Sequence, residues 1–176
     1  MVYRFLRTLT GVIVAATALS SAVASAATWQ KSAQWHLEKA KNDCVLSVRF
    51  IPQNVSDKSK YISIMIYYNR LLGENNWHQP VFIISSPQFQ SLKISSAAWF
   101  EYKNQGHQNV YFNKERAGTI LTSKTTWGDI MPLQKPELKS VKLTINDFRN
   151  FVELPMDGSN TIFGEFVSCA HSMGAP

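Results

Sequence analysis

The chain has 176 residues, of which 45% are hydrophobic, 12% aromatic and 17% charged, with a formal charge of +6. This length suits one ordinary domain with a core of its own, without help from a metal. The lysines and arginines are scattered and never form a run beside interleaved aromatics, which argues against a nucleic-acid track. The two cysteines are not spaced Cys-x-x-Cys, which argues against a thiol redox enzyme.

Residues 1–26 read as a secretory signal. Arg4 and Arg7 form a basic start, Leu9 to Leu19 is an uncharged run, and Ala24-Ser25-Ala26 is a small-residue cleavage motif that places the cut before Ala27. The apolar run falls short of the roughly 20 residues that span a bilayer. Cleavage is therefore expected to leave residues 27–176 as a single exported domain, periplasmic or secreted by a bacterium, with no stable membrane insertion. Losing the leader removes two arginines, leaving sixteen basic against twelve acidic side chains, or +4.

Export gives the cysteines a meaning. In an oxidising compartment, Cys44 and Cys169 are expected to pair rather than persist as two buried thiols. Closing so long a loop restricts the unfolded chain by about 4–5 kcal/mol on the loop-entropy account.

The mature chain is dominated by alternation of period two. Helical spacing is legible over Thr28 to Lys41, although Trp35 and Leu37 already begin to alternate. Cys44, Leu46, Val48 and Phe50 then line one face of a strand, with Ser47 and Arg49 on the other. Pro52 to Lys60 is a polar loop. Tyr61 to Tyr68 is the strongest strand, with Ile62, Ile64 and Ile66 opposite Tyr61, Met65 and Tyr67. A turn at Gly73 to Asn76 precedes a short strand over Val81 to Ile84. Phe89 to Ile94 and Ala97 to Tyr102 are further candidates, and Val110 to Phe112 makes a hairpin with the latter. Thr119 to Thr126 continues in β-branched residues. Trp127 to Pro136, broken by Gly128, Pro132 and Pro136, reads as a loop. Strands are expected again over Leu138 to Ile145 and Phe151 to Leu154, with a turn or a single helical turn over Asn146 to Asn150 between them. Asp157-Gly158 then turns into a closing helix capped by Ser159 or Asn160, with Ile162, Phe163, Phe166, Val167, Cys169 and Ala170 on one face.

Short strands with regularly spaced turn signals and one terminal helix predict a mainly β domain, an antiparallel sandwich or barrel with a Cys44–Cys169 disulfide. Trp35, followed by Cys44-Val45-Leu46-Ser47, and the end formed by Leu154, Asp157-Gly158-Ser159, Phe163, Phe166 and Cys169 resemble small bacterial periplasmic domains related to invasion-associated locus B proteins. The likeness is confined to the two ends of the chain; the additional cysteines usual in that group are missing, and the middle does not align. It implies a non-catalytic exported β-sandwich, sometimes linked to host-cell interaction.

The sequence offers little chemistry. His36, His78, His107 and His171 lack the spacing of metal-ligand pairs. There is no Gly-x-Ser-x-Gly, Ser-x-x-Lys or glycine-rich phosphate loop, and no two carboxylates stand out as a pair. Glu101 and Glu153 lie in strands and are expected to face solvent. No catalytic residue, metal or other cofactor is therefore assigned. The aromatics are the better clue: Tyr61 and Tyr67 lie opposite the isoleucine face, and Trp77 and Trp127 fall in turn-rich segments. These four are the candidate contacts for a protein partner, although a second buried face would explain the two tyrosines as well.

The leading expectation is a protein-binding domain acting in the envelope or on a host. An inhibitor or immunity-type protein against a cell-wall enzyme or toxin is the second, and an enzyme with an unrecognised site the third. Intact-mass analysis of the exported protein is expected to find Ala27 at the N-terminus and two hydrogens fewer than the dithiol form; a chain still carrying its leader would refute the export reading.

Overall fold

β-Branched and aromatic residues at every second position give each strand one face to bury, and the buried faces run on from strand to strand. The computed structural model describes residues 28–53, 57, 59–70, 79–94, 96–102, 109–114, 117–145 and 152–176. The expected leader, the expected turns at Gly73 to Asn76 and Asn146 to Asn150, and positions 54–56 and 58 of the expected loop lie outside these residues. The strands are β1 (Trp29–Lys31), β2 (His36–Lys39), β3 (Asp43–Pro52), β4 (Ile62–Asn69), β5 (Val81–Ser85), β6 (Ala97–Tyr102), β7 (Asn109–Asn113), β8 (Ile120–Lys124), β9 (Ser140–Ile145) and β10 (Val152–Pro155). They form one antiparallel sheet in the order β1-β3-β4-β5-β8-β7-β6-β9-β10, with β2 also paired to β3.

The sheet rolls up because its apolar face is rich in large rings. Phe82 on β5 packs edge-on against Phe112 on β7 and Phe100 on β6, with ring centroids 5.0 and 5.3 Å away. β5 and β6 are three places apart in the strand order, about 14 Å in a flat sheet. Rings so far apart in the ladder touch only when the sheet curls around them. Phe50, Phe82, Phe100 and Phe112 are fully buried, and each contributes about 2–3 kcal/mol of apolar burial. The result is a nearly closed barrel whose interior is occupied by side chains.

Each end of the barrel has a plug. At one end lie α1 (Trp127–Ile130), the 3₁₀ turn Met131–Gln134 and α2 (Ser159–Ser172). Ile130, Leu133, Phe163, Phe166 and Ala170 from these elements are all buried. At the other end, the 3₁₀ turn Pro87–Ser91 buries Phe89 and is held by Lys114, itself 1% exposed. The Lys114 ammonium donates to the carbonyls of Phe89 and Leu92, the latter at 2.7 Å. This satisfies acceptors at the end of the turn and solvates a charge taken out of water.

Several local expectations are corrected. Thr28 to Lys41 contains β1 and β2 rather than a helix, because pairing with β3 outweighs its weak helical spacing. Phe89 to Ile94 is no strand: Pro87 starts a 3₁₀ turn and Ser86 Oγ caps it by accepting from Gln88 N. Trp127 to Pro136 is not a simple loop. Thr126 and Asp129 form a reciprocal capping box that starts α1, and Pro132 sits in the first turn of the following 3₁₀ segment, where a missing N–H costs nothing. α2 is capped by Gly158, not by Ser159 or Asn160. Gly158 adopts φ +79°, a left-handed conformation that favours glycine, and the Ser159 hydroxyl donates to Leu133 O at 3.1 Å.

The expected disulfide is present. Cys44 at the start of β3 and Cys169 in α2 are joined across 125 residues, with Cα atoms 6.2 Å apart. Met173 Sδ packs 3.8 Å from Cys44 Sγ. The bond fastens the end of the chain to its first long strand. Replacing both cysteines with serine is expected to lower unfolding free energy by about 2–5 kcal/mol in urea denaturation, with α2 losing amide protection first.

Candidate functional site

With the isoleucine face turned inward, β4 presents Tyr61, Ser63, Met65, Tyr67 and Asn69 along its outer side. One outward row runs in register across six strands: Ser47, Met65, Ile83, Thr122, Asn113 and Ala97. At ordinary strand spacing it is about 24 Å wide. Beside it lie Val45, Tyr67 and Val81, which are also partners in register, and the facing pair Trp99 and Tyr111. Met65 is 38% exposed, Ile120 37% and Tyr111 63%. These values decide between the two readings of the tyrosine face: among the described residues it is not a second buried layer.

Polar groups fix both ends of the β4 strip. The Arg49 guanidinium lies 4.5 Å from the centre of the Tyr61 ring, and its Nε donates to Ser63 Oγ at 3.4 Å. At the other end, the Tyr67 hydroxyl donates to Asp43 Oδ1 at 2.8 Å and accepts from Asn69 Nδ2 at 2.7 Å. Burial, then the hydrogen bond to Asp43, push the Tyr67 phenol above its ordinary range, so it stays protonated at neutral pH. Tyr61 and Tyr67 are thus half-buried and held in place, with their rings on the outer surface.

Of the other two candidate contacts, only Trp127 can be placed, and it does not join them. Trp77 lies outside the described residues. Trp127 is wedged between the barrel mouth and α2, with ring centroids 5.8 Å from Tyr68, 6.0 Å from Phe166 and 6.3 Å from His171. Its backbone N–H donates to Gln79 Oε1 at 3.0 Å. The turn-rich sequence around it reflects a capping segment, and the aromatic is there to pack. Sequence reasoning placed Met65 on the face but missed Ile83, Trp99, Tyr111 and Ile120 as members of it. The signal for Trp99 and Tyr111 was available, because Phe100 and Phe112 point inward and their neighbours must point out.

Catalytic groupings do not assemble among the described residues. Glu101 lies 3.9 Å from Lys142 on the outer wall, and Glu153 accepts from Ser140 Oγ at 2.6 Å. His36 and His171 are both exposed, on β2 and α2; His78 and His107 lie outside the described residues. No three His, Cys, Asp or Glu side chains there come together as metal ligands. Tyr102, whose hydroxyl is buried without a partner among the described residues, has its pKa raised mainly by burial and then by the charge of Asp129. No described helix is long and apolar enough to cross a membrane.

Comparison with protein-family models, curated proteins and solved structures returns no match.

The sheet closes through side chains. β1 and β10 approach each other without a ladder, and the Lys31 ammonium bridges them, 2.7 Å from Asp157 Oδ2 and 2.5 Å from Asp157 O. This hydrogen bond holds the Asp157 carboxyl below its usual range. A carboxyl depressed in the folded state adds stability above its unfolded pKa, near 3.8, and loses it as pH falls through the folded value. Asp157 is 65% exposed, so screening limits the effect to about 1 kcal/mol or less. Denaturant melts are expected to show Lys31→Met less stable than the parent at pH 6, with the difference narrowing as pH falls below about 3.8 and through the lower folded-state pKa.

Proposed function

We propose that this chain is an exported, non-catalytic protein-binding domain that docks its partner on the outward face of β4, β5, β8, β7 and β6. One observation carries this reading: a set of outward apolar side chains, exposed Met65 and Tyr111 with half-buried Ile83 and Trp99, is covered by no described element and lies on a barrel whose interior is already filled with its own rings. A ligand therefore has to be met from outside, and exposed apolar side chains such as Met65, Ile120 and Tyr111 set among polar neighbours are what protein interfaces use.

The partner surface that fits has an apolar centre and a carboxylate at its rim. Arg49 is exposed and stacked on Tyr61, with no carboxylate within ion-pair distance among the described residues. The excess of basic residues favours the same sign of partner. The resemblance of the chain ends to invasion-associated locus B proteins, which implies an exported β domain at an envelope or host surface, supports the same class of activity.

A photo-crosslinking residue at position 65 or 111 is expected to trap a discrete protein in the cell envelope, whereas the same residue at exposed position 137 traps none. For the trapped protein, Tyr111→Ala and Arg49→Glu are expected to weaken binding about tenfold or more without moving the unfolding midpoint. Equal trapping at all three positions, or unchanged affinity in both variants, sinks the proposal.

A further inference from the structure

The seam where the sheet closes holds a second feature. Between β1 and β10 lies an open groove of about 580 Å³, lined by Trp29, Lys31, Asp157 and the glutamines Gln30, Gln34 and Gln53. Its size is in the range of small-ligand sites. The groove exists because β1 is only three residues long and the chain then leaves the sheet over Ser32–Trp35 before β2 begins. This break keeps the last strand gap from zipping up.

The chemistry of the lining is selective. Its one described cation and one described carboxylate neutralise each other, since Lys31 is engaged with both a side-chain and a main-chain oxygen of Asp157. No uncompensated charge is left to select an ionic ligand. What remains are amides: Gln30 and Gln34 are exposed, Gln53 is half-buried, and none of the three side chains has a hydrogen-bond partner among the described residues. A primary amide donates two hydrogen bonds and accepts through its oxygen. Ligand hydroxyls, which also donate and accept, match it. Trp29, only 7% exposed, is buried behind these groups and gives the groove a rigid floor without offering a ring face to a ligand.

An extended peptide is the poorer fit. Strand addition needs a free edge of several residues, whereas β1 offers three and β10 already lies beside it. We propose that the seam groove binds a neutral saccharide chain, with Gln30, Gln34 and Gln53 contacting its hydroxyl or N-acetyl groups. This site is separate from the outward face and does not depend on it.

The test titrates the oxidised, exported protein calorimetrically with two neutral probes, chitotetraose and maltotetraose. At least one is expected to bind saturably, with the double variant Gln34→Ala/Gln53→Ala weakening it about tenfold and Tyr111→Ala leaving it unchanged. Circular dichroism and the disulfide report on folding, and Gln30→Ala provides an independent variant if the double substitution disturbs β1. No saturable binding of either sugar at millimolar concentration overturns the proposal, as does sugar binding indifferent to all three glutamines. Displacement of bound sugar by an extended alanine–threonine decapeptide, with the peptide binding more tightly, also overturns it, because the groove is then a peptide site. Loss of the outward-face interaction in Tyr111→Ala with intact sugar binding separates the two readings.

Discussion

Packing of Phe82 against Phe100 and Phe112 is the contact on which the rest of the molecule depends. These rings belong to strands two and three places apart in the ladder, yet they meet within 5.0 to 5.3 Å. Burying them curls the sheet and fills the space it encloses. Everything else follows from that closure: the ends must be plugged, the outer face is left to solvent, and the first and last strands are brought side by side. A flat sheet with the same alternation would need a second layer to cover its apolar face.

The plugs use different physical means. At the α2 end the closure is apolar and covalent. Phe163, Phe166 and Ala170 are buried against the barrel mouth, Trp127 fills the wedge, and the Cys44–Cys169 bond prevents the helix from drifting away in the unfolded chain. At the opposite end the closure is polar at its heart, with the Lys114 ammonium held on main-chain carbonyls beside the buried ring of Phe89. At the seam between β1 and β10, a partly exposed ion pair stands where a ladder would otherwise run. Among the described residues, no element covers the outer face and no ladder closes the seam.

The long strands were legible because alternation is a local property. Cys44, Leu46, Val48 and Phe50, and opposite them Ile62, Ile64, Ile66 and Tyr68, announce their inward face without reference to the rest of the chain, and they pair in register. Shorter elements were misread where a cap or a ladder decided the outcome. Thr126 with Asp129 starts a helix inside a proline-rich segment, Ser86 starts a 3₁₀ turn where β-rich residues invited a strand, and β3 draws Trp29–Lys31 and His36–Lys39 into the sheet. In each case a hydrogen bond from outside the window, or a side-chain cap within it, outweighed propensity. The candidate face was half legible: Tyr61 and Tyr67 were evident from β4 alone, but their continuation through Ile83, Trp99 and Tyr111 required the strand order.

By itself, the sequence determined a mainly β chain with one terminal helix and two cysteines able to pair, because period-two burial, helical spacing and thiol count are all written along the chain. Only the tertiary structure decided that the sheet closes on itself, that Trp127 packs while Met65 and Tyr111 stand exposed, and that a groove flanks the Lys31–Asp157 pair. Those features depend on which strands become neighbours across loops, and that choice is set by the fit of distant rings in one interior, which no local pattern encodes.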